Sequence, residues 1–288
     1  MISYDPKSWW GLIFRFHKSD TFRILLPAML TVAVFNGLVV YLAEARLLGS
    51  FEGTSVVHSL LGFVISLLLV FRTNTAYERW WEGRKQWGAL VNTSRNMALK
   101  LNAALPQAHS SRPVLAELIG RYAAILREHL RDGNLPETDP PVQHWPNQIA
   151  AHLFHEIDRI YRSGDMTGIQ YLSINPDVTL LTDICGACER IKKTPIPYSH
   201  SLFIKKFIFA YIVSMPFCFA YQFGYWTVLF SSFVFYVLAS LELIAEEIEN
   251  PFGDDANDLP TEEIARTIAA NIGDILLGAT PRSALSSA

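Results

Sequence analysis

Three long apolar stretches without a charge constrain this chain more than any other feature. The first, "ILLPAMLTVAVFNGLVVYLA" between Arg23 and Glu44, holds 20 residues. A second lies between Glu52 and Arg72, and a third runs from Phe207 to Leu241, broken only by Pro216 and the "YQFGYW" cluster. A helix of roughly 20 apolar residues crosses the hydrocarbon of a bilayer. The third stretch is long enough for two short or tilted crossings. Four transmembrane helices are therefore expected. Half of the chain is hydrophobic and 18% is charged, values a soluble globule can also reach, so distribution decides where composition does not.

The loops set the topology. The first connection carries Arg46 as its only base, and the "YQFGYW" connection has none. Arg79, Arg84 and Lys85 follow the second span, and Lys192, Lys193, Lys205 and Lys206 precede the third. The positive-inside rule puts the segment between them in the cytoplasm, with both termini on the same side. No secretory leader is read at the N-terminus, where Lys7, Arg15, Lys18 and Arg23 precede the first apolar run with no small-residue cleavage site after it. "SWWGLIFRFH" (Ser8–His17) reads either as an amphipathic segment at the headgroup level or as a segment packed on protein.

The inner part reads as helical. Helices are expected over Gln86–Leu105, from about Ser111 to Arg131, over Gln148–Arg162 and over Asp177–Ile191, the last started by Asn175-Pro176. "DGNLPETDPPVQHWPN" is a Pro-rich loop. The division that follows is an N-terminal interfacial segment over 1–23, transmembrane helices 1 and 2 over 24–80 and a cytosolic helical domain over 81–200. Transmembrane helices 3 and 4 occupy 201–245, and a cytosolic acidic segment and helix occupy 246–288.

Few motifs point to chemistry. Cys185 and Cys188 form a lone "CGAC" with no second pair, which suits a packed helix face better than zinc. "HLFHE" places His152, His155 and Glu156 together but lacks the spacing of a zinc protease. No phosphate loop, nucleophile elbow or basic run suggests an enzyme or a nucleic-acid partner. Between Glu242 and Glu263 every charge is acidic. That run reads as a solvated turn whose Asp258 or Thr261 caps a final helix, or as an oxygen-rich site for a hard cation. Phe63, Leu67 and Phe71 fall at i, i+4 and i+8 on the second span, rising about 6 Å per step. Gly62 and Ser66 beside them would let another helix approach closely. Spacing alone favours packing or lipid contact for this stripe, while rings of such residues around an axis would make a hydrophobic constriction.

"SLLGFVISLLLVFRTNTAYERWWEGRKQWG", "CERIKKTPIPYSHSL" and "AEEIENPFGDDANDLP" together resemble the bestrophin family in its short bacterial form, and the resemblance covers nearly the whole chain. It implies an all-α membrane protein, four transmembrane helices per subunit over a large cytosolic helical domain, assembled as a homopentamer around a central pore. By the same resemblance Phe63, Leu67 and Phe71 form the pore neck, and Ile169 in "DMTGIQY" forms a cytosolic aperture. The clasp that binds calcium in eukaryotic members aligns with Asn250, Asp255 and Asp258, which makes calcium the one cofactor to consider.

The function implied is passive flux of small monovalent ions through a bacterial inner-membrane channel, with no enzymatic step. Its partners would be further copies of the chain, membrane lipids and the permeating ions. Chloride or other anions follow from the eukaryotic precedent, and a sodium- or potassium-selective channel from some bacterial members. Leu67 replaces the middle aromatic of the eukaryotic neck, so the residues leave the ion open. A membrane carrier or a scaffold protein is the remaining alternative; the absence of charge within the predicted spans argues against proton-coupled transport.

Overall fold

The computed structural model describes residues 21–47, 54–133, 135–136 and 141–278. The Ser8–His17 segment lies outside them. Among the described residues all regular structure is helical: α1 (Thr21–Glu44), α2 (Thr54–Ala104), α3 (Ser111–Arg131), α4 (Trp145–Arg162), α5 (Gly168–Lys193), α6 (Tyr198–Phe223), α7 (Trp226–Glu249) and α8 (Thr261–Leu276). Helices α1, α2, α6 and α7 are each long and apolar enough to cross a membrane. The described residues divide into two compact units, the first drawn from the ranges 1–80, 195–250 and 255–257, the second from 81–194, 251–254 and 258–288.

In the first unit α1 packs on α6 and α7, and α7 on α6. Its core joins Ile65 and Leu69 of α2 to Ile204, Ile208, Tyr211 and Ile212 of α6 and Leu238 of α7. Gly62 gives α6 the close approach anticipated from its spacing with Ser66. A Cβ there would lie 2.6 Å from the Tyr211 hydroxyl oxygen. Tyr211 also stacks on His58, their centroids 4.1 Å apart. The third apolar stretch divides within the "YQFGYW" cluster, after Phe223, while Pro216 stays inside α6. Gly224, at φ 50° and ψ −136°, takes the turn and donates its N–H to Ala220 O at 2.8 Å. A side chain would resist that backbone.

In the second unit α3 packs against α8 and α4, and α4 against α5. Leu115, Ile119, Tyr122 and Leu126 of α3, Leu153 and Ile157 of α4, and Val178 and Leu181 of α5 are fully buried. α8 turns Ile268, Ile272 and Leu276 inward. Pro260, rather than Asp258 or Thr261, holds the N-cap position of α8 and supplies no side-chain cap. Cys185 and Cys188 are buried on α5, as a packed helix face requires. Burial, then the nearby Glu189 carboxylate, raises the Cys185 thiol to about 12.

Three helix boundaries differ from the sequence reading. α2 is one helix of 51 residues, so the span and the helix expected over Gln86–Leu105 are continuous across the 80/81 division. The polar "RTNTAYERWWEGRKQWG" between them contains no proline, and its Arg, Glu, Lys and Gln favour helix. α5 begins at Gly168, not at Asp177. A reciprocal capping box between Thr167 and Gln170 starts it earlier and leaves Pro176 inside. Lys100 supports that turn, donating to Ser173 O at 2.9 Å and pairing with Asp177 at 2.8 Å. α4 starts three residues early because His144 Nδ1 accepts the Asn147 N–H, a cap that histidine rarely supplies.

Arg112, 2% exposed, closes two helix ends at once. Its Nε donates to Leu276 O and its Nη1 to Leu105 O, both at 2.9 Å, and its remaining nitrogen reaches Asn102 Oδ1. Carbonyls orphaned at α8 and just past α2 thus receive a cation at the negative end of each helix. Arg112→Met should destabilise the second unit by roughly 3 kcal/mol, since each buried acceptor left unpaired costs about 1–3 kcal/mol. Denaturant unfolding of the detergent-solubilised protein measures this.

Candidate functional site

α2 has two unlike faces within the first unit. His58, Ile65, Leu69, Arg72 and Ala76 are at most 3% exposed, and at 100° per residue they fall on one side of the helix. Phe63, Leu67 and Phe71 are 66%, 45% and 58% exposed and lie roughly opposite. Among the described residues the stripe is therefore left largely uncovered. Its three side chains rise over about 12 Å of helix.

The buried face ends in a charge. Arg72, 1% exposed, donates from Nη2 to Glu249 Oε2 at 2.7 Å, and its Nε lies 3.6 Å from Glu242 Oε2. Glu249 Oε1 accepts the backbone N–H of Ile196 at 2.7 Å, so both of its oxygens are engaged. Two turns beyond Arg72, Arg79 Nε donates to the Glu249 carbonyl at 3.1 Å, and Trp80 Nε1 donates to Asn257 O at 3.0 Å. One side of α2 thus binds the carboxylate, the last helical carbonyl and the following loop at the C-terminal end of α7. Glu242 meets Arg72 only at ion-pair distance and is 4% exposed.

In the second unit Pro251 and Phe252 are seated on Gly83 of α2. A Cβ on Gly83 would come within 3.0 Å of Pro251 and 3.2 Å of Phe252, and Phe252 is fully buried. Arg131 holds the turn from the end of α3. Its Nε donates to Phe252 O at 2.8 Å, its Nη2 to Gly253 O at 2.6 Å, and its Nη1 pairs with Asp254 at 2.7 Å. Oxygens that would suit a hard cation here are already met by a guanidinium.

Of the residues aligned with a calcium clasp, Asn250 follows α7 and Asp255 is exposed, both in the first unit. Asp258 is buried in the second unit. Two carboxylates and an amide have the donor chemistry for calcium but fall short of its six to eight oxygens, so backbone carbonyls or water would have to complete the shell. Ile169 stands in the first turn of α5, 84% exposed, with Leu172 beside it at 69%.

The family described as "Bacterial/Fungal Bestrophin protein" matches residues 1–274. The chain belongs to the bestrophin family. It is 32% identical to a protein of Synechocystis sp. named "voltage-dependent anion channel-forming protein", over 95% of this chain and 94% of that one. A protein of the same description from Escherichia coli K12 is 29% identical, covering 94% and 93% of the two chains. A crystal structure of a bacterial bestrophin homologue from Klebsiella pneumoniae superposes with a TM-score of 0.81 at 26% identity, over 89% of this chain and all of that one. Family membership and four apolar helices make the chain a membrane protein.

The Arg72 network is masked in the sequence because its acids belong to one continuous acidic run. Glu242 and Glu249 are seven apart, two turns on one face of α7, and Arg72 is the first base after an apolar run. Glu249→Ala should cost about 3–5 kcal/mol, the penalty for leaving a buried partner charge uncompensated. Glu242→Gln should cost clearly less, since it makes no hydrogen bond to Arg72. Thermal unfolding of both variants, side by side in detergent, tests the order.

Proposed function

We propose that this chain assembles as a homopentamer whose α2 helices line a central pore and conduct small monovalent anions passively. The observation that carries the reading is the exposed stripe of Phe63, Leu67 and Phe71, opposite the face by which α2 binds the rest of the first unit. Five such stripes around an axis would stack three apolar rings into a neck that controls conduction by its wetting. The anion assignment is supported by the relatives named as anion channel-forming proteins. Phenyl edges, which carry partial positive charge, give it a physical route. Ile169 is proposed as a second constriction at the cytosolic mouth.

In this reading the chain is a conduit and not a catalyst. It lies in the bacterial inner membrane with both termini in the cytoplasm, the basic residues flanking the spans facing inward. Residues 24–80 and 201–245 form the membrane part, 81–200 the cytosolic domain and 246–288 the acidic segment and helix.

Reconstitution in a planar bilayer tests the function. Asymmetric sodium chloride should give a reversal potential near that of chloride, and Leu67→Ala should raise the current several-fold by opening the middle ring. A reversal potential near that of sodium would replace the anion reading with the cation-channel one. The absence of unitary currents would remove both and leave a carrier or scaffold.

Calcium ligation by Asn250, Asp255 and Asp258 belongs to the same proposal. Removing calcium with a chelator should lower the unfolding temperature, and an Asp255→Asn variant should lose that response. If wild-type protein ignores the chelator, the turn is held without calcium, by Arg131 among its contacts.

A further inference from the structure

We propose that His129, His144 and Glu189 form a binding site for a zinc-type divalent metal ion in the second unit. The three residues come from separate segments: His129 from the last turn of α3, His144 from the N-cap of α4, and Glu189 from α5. Glu189 Oε1 lies 2.5 Å from His129 Nε2 and 2.8 Å from His144 Nε2. All three ligand atoms fall within 4.8 Å of one another, and the two imidazoles are inclined at 46° with centroids 4.5 Å apart.

The donor set is what zinc takes in three-residue sites, two imidazole nitrogens and a carboxylate with one position left to water or another ligand. Metal–ligand bonds of about 2.0–2.1 Å put tetrahedral ligand atoms about 3.3 Å apart. The Nε2–Oε1 pairs need to open by less than about 1 Å to admit an ion. All three side chains are half-buried, between 18% and 31% exposed, so they are partly ordered and still reachable from solvent. Lys193 Nζ, 3.6 Å from Glu189 Oε2 and itself 70% exposed, can swing away from an incoming cation.

Protonation is nearly ready. Glu189 is partly desolvated, but its hydrogen bonds from the two histidines outweigh that effect and hold the carboxyl below its ordinary range. It is therefore ionised at neutral pH. His144 adds a coupling. Its Nδ1 accepts the Asn147 N–H, so in the metal-free protein Nε2 carries the ring proton and donates to Glu189. Coordination through Nε2 moves that proton to Nδ1 and releases the Asn147 amide. Metal binding is thus linked to the first turn of α4. The buried thiols of Cys185 and Cys188 keep their protons and stay outside the ligand set.

The test uses full-length protein in detergent, stripped with chelator and titrated with Zn²⁺ against a chromophoric competitor. One zinc per chain should bind, and Co²⁺ in its place should show the intense visible bands of tetrahedral coordination. His129→Gln retains a hydrogen-bond donor to Glu189 but no imidazole, and should weaken zinc binding at least about tenfold. His152→Ala, on the exposed side of α4, should leave affinity unchanged. Hydrogen exchange at the Asn147 amide should accelerate with zinc. If wild-type protein takes up no stoichiometric zinc, or if His129→Gln binds as well as wild type, the cluster is a hydrogen-bonded lock between three helices and the proposal is wrong. Neither outcome bears on the channel reading.

Discussion

A buried guanidinium at the end of an apolar face holds the first unit together. Arg72 has almost no contact with solvent, and a charge in that position is tolerable only when paired and hydrogen-bonded. Glu249 supplies that pairing, and its second oxygen reaches the backbone entering α6 at Ile196. Arg79 adds the last carbonyl of α7 to the same side of α2. These contacts fix the rotation of α2 about its own axis. With Arg72 turned inward, Phe63, Leu67 and Phe71 must face outward, because positions separated by roughly half a turn cannot share a face.

That rotation links fold to function. An apolar stripe that its own chain leaves uncovered needs lipid, another subunit or a pore to face. In the proposed pore, its apolar character and regular spacing would let each ring exclude or admit water as a unit. Rigid support behind the proposed rings would matter equally. Gly62 lets Tyr211 pack directly on the opposite flank of the helix, and Ile65 and Leu69 lock into the core formed with α6 and α7. The second unit has its own anchors, Arg112 at two helix ends and Arg131 around the "NPFG" turn.

Much of this organisation was legible in the amino-acid order. Uncharged runs of membrane-spanning length marked four helices, because hydrocarbon excludes unpaired backbone polar groups and makes length diagnostic. The close approach at Gly62 and the burial of Cys185 and Cys188 followed from spacing and residue type. Boundaries were harder. Pro176 and Asn175 carry the local signature of a helix start, yet Thr167 and Gln170 form a stronger one a few residues earlier. His144 acts as a cap through a ring nitrogen, which composition rules do not weigh. Long-range pairs were harder still. Arg72 and Glu249 are 177 positions apart, and His129, His144 and Glu189 converge only once three helices pack. The acidic run looked like one feature because sequence shows charge density, whereas structure assigns each carboxylate a separate partner.

Cysteine accessibility at the middle ring tests the central claim most directly. Leu67→Cys, placed in a background lacking Cys218, would be recorded in a bilayer while a small charged thiol reagent is added to the aqueous phase. A pore-lining stripe predicts rapid modification and a large change in current. The same reagent on Leu38→Cys, an exposed position of α1 in the membrane part, should have no effect. Currents unchanged by modification at Leu67, with the label shown to have reacted, would contradict the account. The stripe would then face lipid or a neighbouring subunit, and the conduction path would lie elsewhere.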